Sequence, residues 1–189
     1  MRIMAVAMDL GAGRYTDLPF PPYRYVPATK TPHPTADPKG HSYRPPGSPP
    51  ITVPLKTPAQ WRESEAYLYG CDLYNHSYWW EAHEAWEELW QLTDKSGAQR
   101  KFLQGLIQNA ACALKLHVGR VNGVRRLLGR SDAYLCGVLE QISGDRFMGL
   151  DVRQWRQSIG QYYQTRLAEP GAAPAHDPRT YPYLRLDIQ

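Results

Sequence analysis

Thirteen of the 17 prolines fall between Pro19 and Pro58, and this clustering constrains the fold more than any other feature of the chain. Proline lacks an amide donor and its ring clashes with the preceding helical turn, so this segment is neither a helix nor a central strand. Residues 1–56 are therefore expected to form an extended arm. Phe20, Tyr23, Tyr25 and Tyr43 are spaced along it, and such rings can hold an extended chain against a folded body. A docked arm is the expectation.

Regular structure is predicted to start sharply at Thr57. There Thr57-Pro58-Ala59-Gln60 supplies a capping hydroxyl, a proline suited to the first helical position and a glutamine to close a capping box. The first helix should reach Tyr74. A second is expected from Tyr78 to Leu92, capped by Ser77, and a third from Ala98 to His117, ended by Gly119. Val124, Leu127, Leu128, Leu135, Val138 and Ile142 keep helical spacing, predicting a fourth helix over Asn122 to Ile142 with a bend near Gly129 to Asp132. Asp151 and Gln154 read as a capping box for a fifth, whose apolar stripe is Val152, Trp155, Ile159 and Tyr162. The expected architecture is all-α: an antiparallel bundle of about five helices over residues 57–168, with a short C-terminal arm at 169–189. Leu184-Arg185-Leu186 alternates as Ile51-Thr52-Val53 does, which predicts a ribbon between the two arms.

Composition removes several function classes. The net charge of +4 arises from 22 basic residues nearly balanced by 18 acidic ones, so charge alone does not point to nucleic acid. Arg120, Arg125, Arg126 and Arg130 form the densest basic run, yet no aromatic platform is interleaved with them, and they read as a solvated face. There is no Gly-rich phosphate loop and no Ser-centred nucleophile elbow. Cys71, Cys112 and Cys136 are odd in number and lack close pairing, which argues against a disulfide framework and for a cytoplasmic location. No stretch approaches the roughly 20 apolar residues of a membrane span. Six tryptophans and thirteen tyrosines leave room for an apolar face between copies of the chain.

The most informative stretch is NHSYWWEAHEAWEELW, residues 75–90. Successive residues 100° apart put Trp79, Ala82, Trp86, Leu89 and Trp90 on one face with His83 at its centre, so the imidazole should point inward. Glu87, one turn on, lies at the margin of that face and can meet the ring. Glu81, Glu84 and Glu88 are expected on the opposite side. If the second and third helices form a hairpin, His83 falls level with Gln108 and Glu87 with Gln104. A buried group of this kind must hydrogen-bond internally or bind something, because an unmet donor or acceptor costs about 1–3 kcal/mol. One reading is a divalent metal or small-ligand site with His83 and Glu87 as ligands, oriented by Gln104 and Gln108. The spacing His-Glu-x-x-Glu lacks the second imidazole of a helical zinc protease. The other reading is a polar network that only fixes packing.

The arm offers a second set. His33, Asp37 and His41 recur at four-residue intervals in TPHPTADPKGHSY. Prolines exclude helix there, so these side chains could complete a metal site only by folding onto the bundle.

EAHEAWEELW followed by RKFLQGLIQNAACALKLHVGRVNGVRRLL resembles the domain-of-unknown-function family numbered 309. The markers are His83, Glu84, Glu87, Trp90, Phe102, Gln104, Gly105, Leu106, Gln108, Ala110 and Leu127, over approximately Tyr67 to Tyr134. The resemblance implies a small all-α bundle of bacteria and archaea with no agreed reaction, substrate or cofactor. Two functions are carried forward. In one, a divalent ion activates water beside Glu87 or Glu84 acting as base, giving a metal-dependent hydrolase or ligand-binding protein. In the other, the protein is a non-catalytic helical adaptor whose arms or basic fourth helix meet a protein partner.

Overall fold

A computed structural model describes residues 13–49, 51–168 and 181–188. Five α-helices carry the described fold: α1 (Glu65–Asn75), α2 (Trp79–Leu92), α3 (Ala98–His117), α4 (Val121–Leu139) and α5 (Val152–Leu167). α3 is the central element, packed on α2 along one side and on α4 along the other, while α1 lies on α2 and α5 on α4. The all-α bundle read from helical spacing is the fold observed.

The third helix has the predicted ends, and Gly119 takes the left-handed φ of +69° after it. Its amide and that of Arg120 bond back to Leu116 and Lys115, the paired bonds of a Schellman closure. The same closure ends α1: Tyr78 N bonds to Leu73 O, Ser77 N bonds to Tyr74 O, and Ser77 has φ +67°. Ser77 therefore terminates α1 and does not cap α2. Its buried hydroxyl has no hydrogen-bond partner among the described residues.

Three further expectations are corrected. The first helix is divided: Pro58–Glu63 forms a 3-10 helix, Ser64 breaks it, and α1 follows. The interruption accompanies burial of Trp61, whose ring lies where a Cβ on Gly149 would stand. The Thr57 hydroxyl donates to the Gln60 side chain at 2.9 Å and not to the helix backbone. The fourth helix runs unbroken through Gly129 to Asp132 and stops at Leu139. Finally, the C-terminal arm does not pair with Val53. Leu186 bridges Leu150 in a short hairpin, β1 (Arg146–Phe147) with β2 (Leu150–Asp151), that leads into α5. The capping role of Asp151 holds, since its carboxylate accepts from Gln154 N at 2.9 Å.

The described parts of both arms are docked. Asn75 brackets Leu184, donating to its carbonyl at 2.9 Å and accepting its amide at 2.8 Å. Asp72, fully buried, accepts from Tyr15 N (2.7 Å), Thr16 N (2.9 Å) and the Thr16 hydroxyl (2.8 Å). Phe20 stacks on Tyr78 with centroids 5.0 Å apart, and the Tyr69 hydroxyl holds the Pro19 carbonyl. α1 and α2 thus face the bundle on one side and the arm on the other.

Gly70 lets α1 approach α2 closely. A Cβ there would overlap the Trp86 indole, whose Nε1 donates to the Tyr67 carbonyl at 3.3 Å. Among the described residues no helix is long and apolar enough to cross a membrane.

Candidate functional site

The outward side of α2 carries the chemistry. His83 is not turned into the core: its side chain retains 29% exposure, against 37% for Glu84 and 39% for Glu87. His83 Nδ1 lies 3.1 Å from Glu84 Oε1 and 3.9 Å from Glu87 Oε2. One ligating atom from each of the three lies within 4.8 Å of the others. No Lys or Arg pairs with either carboxylate among the described residues.

The contact with Glu87 is the one expected from helical spacing. The contact with Glu84 is not, because the helical wheel sets that residue on the far side. A side chain at the adjacent position can still fold along the helix surface to an imidazole that sits at the edge of the buried face. Gln104 and Gln108 do not join the group: among the described residues neither hydrogen-bonds to His83, and Gln108 Oε1 is buried without a partner. The equal-distance register between α2 and α3 presumed an inward imidazole, and the ring instead sits at the margin.

The arm's candidate ligands also separate. His33 turns its Nδ1 to the amides of Thr35 and Ala36 at 3.3 and 3.2 Å, and its ring packs edge-on against Trp80. Asp37 caps the amide of Lys39 at 2.9 Å. Of the three, His41 meets a carboxylate of the bundle, with Nε2 3.2 Å from Glu81 Oε1 and both side chains about 95% buried. His33, Asp37 and His41 therefore do not converge on one ion, because the tight turns of residues 33–43 direct each side chain to a different partner.

Glu81 lies on the side of α2 opposite the bundle, as the helical wheel predicts, but that side is covered and not open to solvent. It is buried, with 5% of its surface exposed, because the arm covers the face of α2 opposite the bundle. Its Oε1 accepts from Tyr25 N at 2.8 Å, while Oε2 has no hydrogen-bond partner among the described residues. Burial pushes its carboxyl up to about 7, partly offset by the Tyr25 amide and by Arg24. Burial also lowers the His41 imidazole from its usual range. Each loss of water disfavours the charged form of its own group. The available signal was the arm itself: aromatic anchors on a proline-rich segment imply a second covered face on whichever helix receives them.

The two groups meet at a pocket of about 400 Å³ between the arm, α1 and α2. Glu81 and Glu84 both line it, with His41 and Trp80, so Glu84 belongs to the pocket and to the His83 cluster at once.

The His-Glu-x-x-Glu turn on α2 and the Gln104-Gly105 segment of α3 lie within one continuous matched region. Residues 67–127 match the family model described as Domain of unknown function, DUF309. This is the family that the sequence resembles, and the DUF309 region runs from α1 through α2 and α3 into α4. Within it lie His83, Glu84, Glu87 and Glu81, whereas His41 and Tyr25 come from the arm outside it. No curated protein matches the chain.

Proposed function

We propose that the DUF309 region binds a divalent cation through His83, Glu84 and Glu87. The observation that carries this reading is the convergence of one imidazole nitrogen and two carboxylate oxygens within 4.8 Å, on a partly exposed surface where, among the described residues, no Lys or Arg pairs with either acid. Tetrahedral ligands about 2.1 Å from a zinc ion stand roughly 3.4 Å apart, so small side-chain rotations bring this set to bonding geometry. Three ligands drawn from little more than one helical turn occupy one side of an ion and leave the other to water or a ligand.

Cation binding, rather than hydrolysis, is what this arrangement favours. A carboxylate held on a metal is not free to act as base, and ligation engages both Glu84 and Glu87. The adaptor reading, with the same residues as a purely structural network, is less well supported: the cluster is partly exposed and the two glutamines do not close it.

Calorimetric titration of the metal-free protein with Zn²⁺ or Mn²⁺ tests the proposal. One ion per chain should bind, more weakly as pH falls because protons compete for the imidazole. His83→Ala should weaken binding by at least about tenfold with the helical fold intact. Equal affinity in the wild-type and His83→Ala proteins would rule the site out.

A further inference from the structure

The pocket beneath the arm has features that the divalent-cation site does not explain. Its described lining includes five acids, Glu63, Glu65, Glu81, Glu84 and Glu88, with no Lys or Arg, although the whole chain carries a net charge of +4. Its walls are apolar, with Leu18, Pro21, Val53 and Pro54 from the arm facing Leu73 and Trp80 from the helices. Its volume of about 400 Å³ falls within the roughly 300–1,000 Å³ typical of small-molecule sites. Glu81, which lines it, has a carboxylate oxygen, Oε2, with no partner among the described residues, on a side chain only 4% exposed. A buried acceptor left unmet is costly, and a donor from a ligand would satisfy it.

We propose that this pocket binds a small organic cation, a primary ammonium on an apolar body, with its nitrogen on Glu81 Oε2 and its body against Trp80 and the arm prolines. A bare metal ion fits poorly. Among the described residues the one group of three ligating side chains that converges is His83, Glu84 and Glu87, so the acids of the pocket are too dispersed to share an ion. A guanidinium fits less well than an ammonium. Its planar fork matches two free oxygens, whereas Oε1 of Glu81 is already engaged by Tyr25 N and His41. An ammonium is a compact donor suited to the single remaining oxygen, and the Trp80 ring offers a face for the cation.

Charged and titratable groups from several elements surround Glu81. From the arm, Arg24 favours its ionised form and His41 stands at 3.2 Å; from its own helix, Glu84 opposes ionisation. The hydroxyls of Tyr69 on α1 and Tyr78 beside α2 also sense its charge.

The test is calorimetric titration of the full chain, in buffer containing EDTA, with 2-phenylethylammonium and with the nearly isosteric 2-phenylethanol. The ammonium should saturate one site, at least about tenfold tighter than the alcohol. Glu81→Gln should remove the preference for the charged probe. If that variant does not fold, the two probes on the wild-type chain decide the matter. Equal binding of the two probes, or no saturable ammonium binding to the folded chain, would overturn the proposal. Because the chelator removes divalent ions, failure of the His83 site leaves these outcomes unchanged.

Discussion

His41 Nε2 lies 3.2 Å from Glu81 Oε1, joining the proline-rich arm to α2 through two side chains forty positions apart and almost wholly removed from water. The contact fixes where the arm crosses the helix and makes docking dependent on proton occupancy.

That dependence has a definite sign. The Glu81 carboxyl is raised from 4.5 to about 7 in the folded protein, so its favourable contribution is complete below pH 4.5 and is lost as pH rises through 7. The gap corresponds to about 3 kcal/mol at most. His41 acts in the opposite direction: its imidazole is lowered, so its contribution is present above its ordinary range and lost on acidification. Urea denaturation of wild-type and Glu81→Gln proteins isolates the carboxyl. Relative to the variant, the wild type should lose about 3 kcal/mol between pH 4.5 and pH 8, and a difference independent of pH would contradict this account.

The bundle was legible in the sequence because its signals are local. Apolar spacing placed α3 to the residue, and Gly119 marked its end because a left-handed position favours glycine. The second covered face of α2 was not legible. A helical wheel assigns one buried side, and Glu81 is buried on the other by a segment more than thirty positions upstream. The same assumption turned His83 inward, when its ring lies at the boundary between the covered faces.

Ser77 holds a left-handed backbone and a buried hydroxyl that has no partner among the described residues. Relief of the left-handed strain, about 1–2 kcal/mol, and of the unmet hydroxyl outweighs the added freedom that glycine gives the unfolded chain. Ser77→Gly should therefore stabilise the protein by about 1 kcal/mol. A lowered Tm would show that the Ser77 side chain makes a compensating contribution.

Asp72 anchors the start of the arm through three hydrogen bonds. Asp72→Ala should cost about 2–4 kcal/mol and expose the amides of Tyr15 and Thr16 to hydrogen exchange. The Tyr25 amide, held by Glu81, should stay protected. Retained protection at Tyr15 and Thr16 would place the anchor elsewhere.

Gly70 lies where a Cβ would overlap the Trp86 indole. Both residues belong to packed helices, so neither can withdraw freely, and Gly70→Ala should destabilise the fold by about 1–3 kcal/mol. Thermal unfolding provides the check, with an unchanged Tm as the contrary result.

The cation site is tested most directly by crystals of the protein soaked in Mn²⁺ or Zn²⁺ and measured at an anomalous wavelength of the metal. The predicted result is one anomalous peak bonded to His83 Nδ1 and to oxygens of Glu84 and Glu87. A peak at other side chains only, or none at saturating metal, would contradict it.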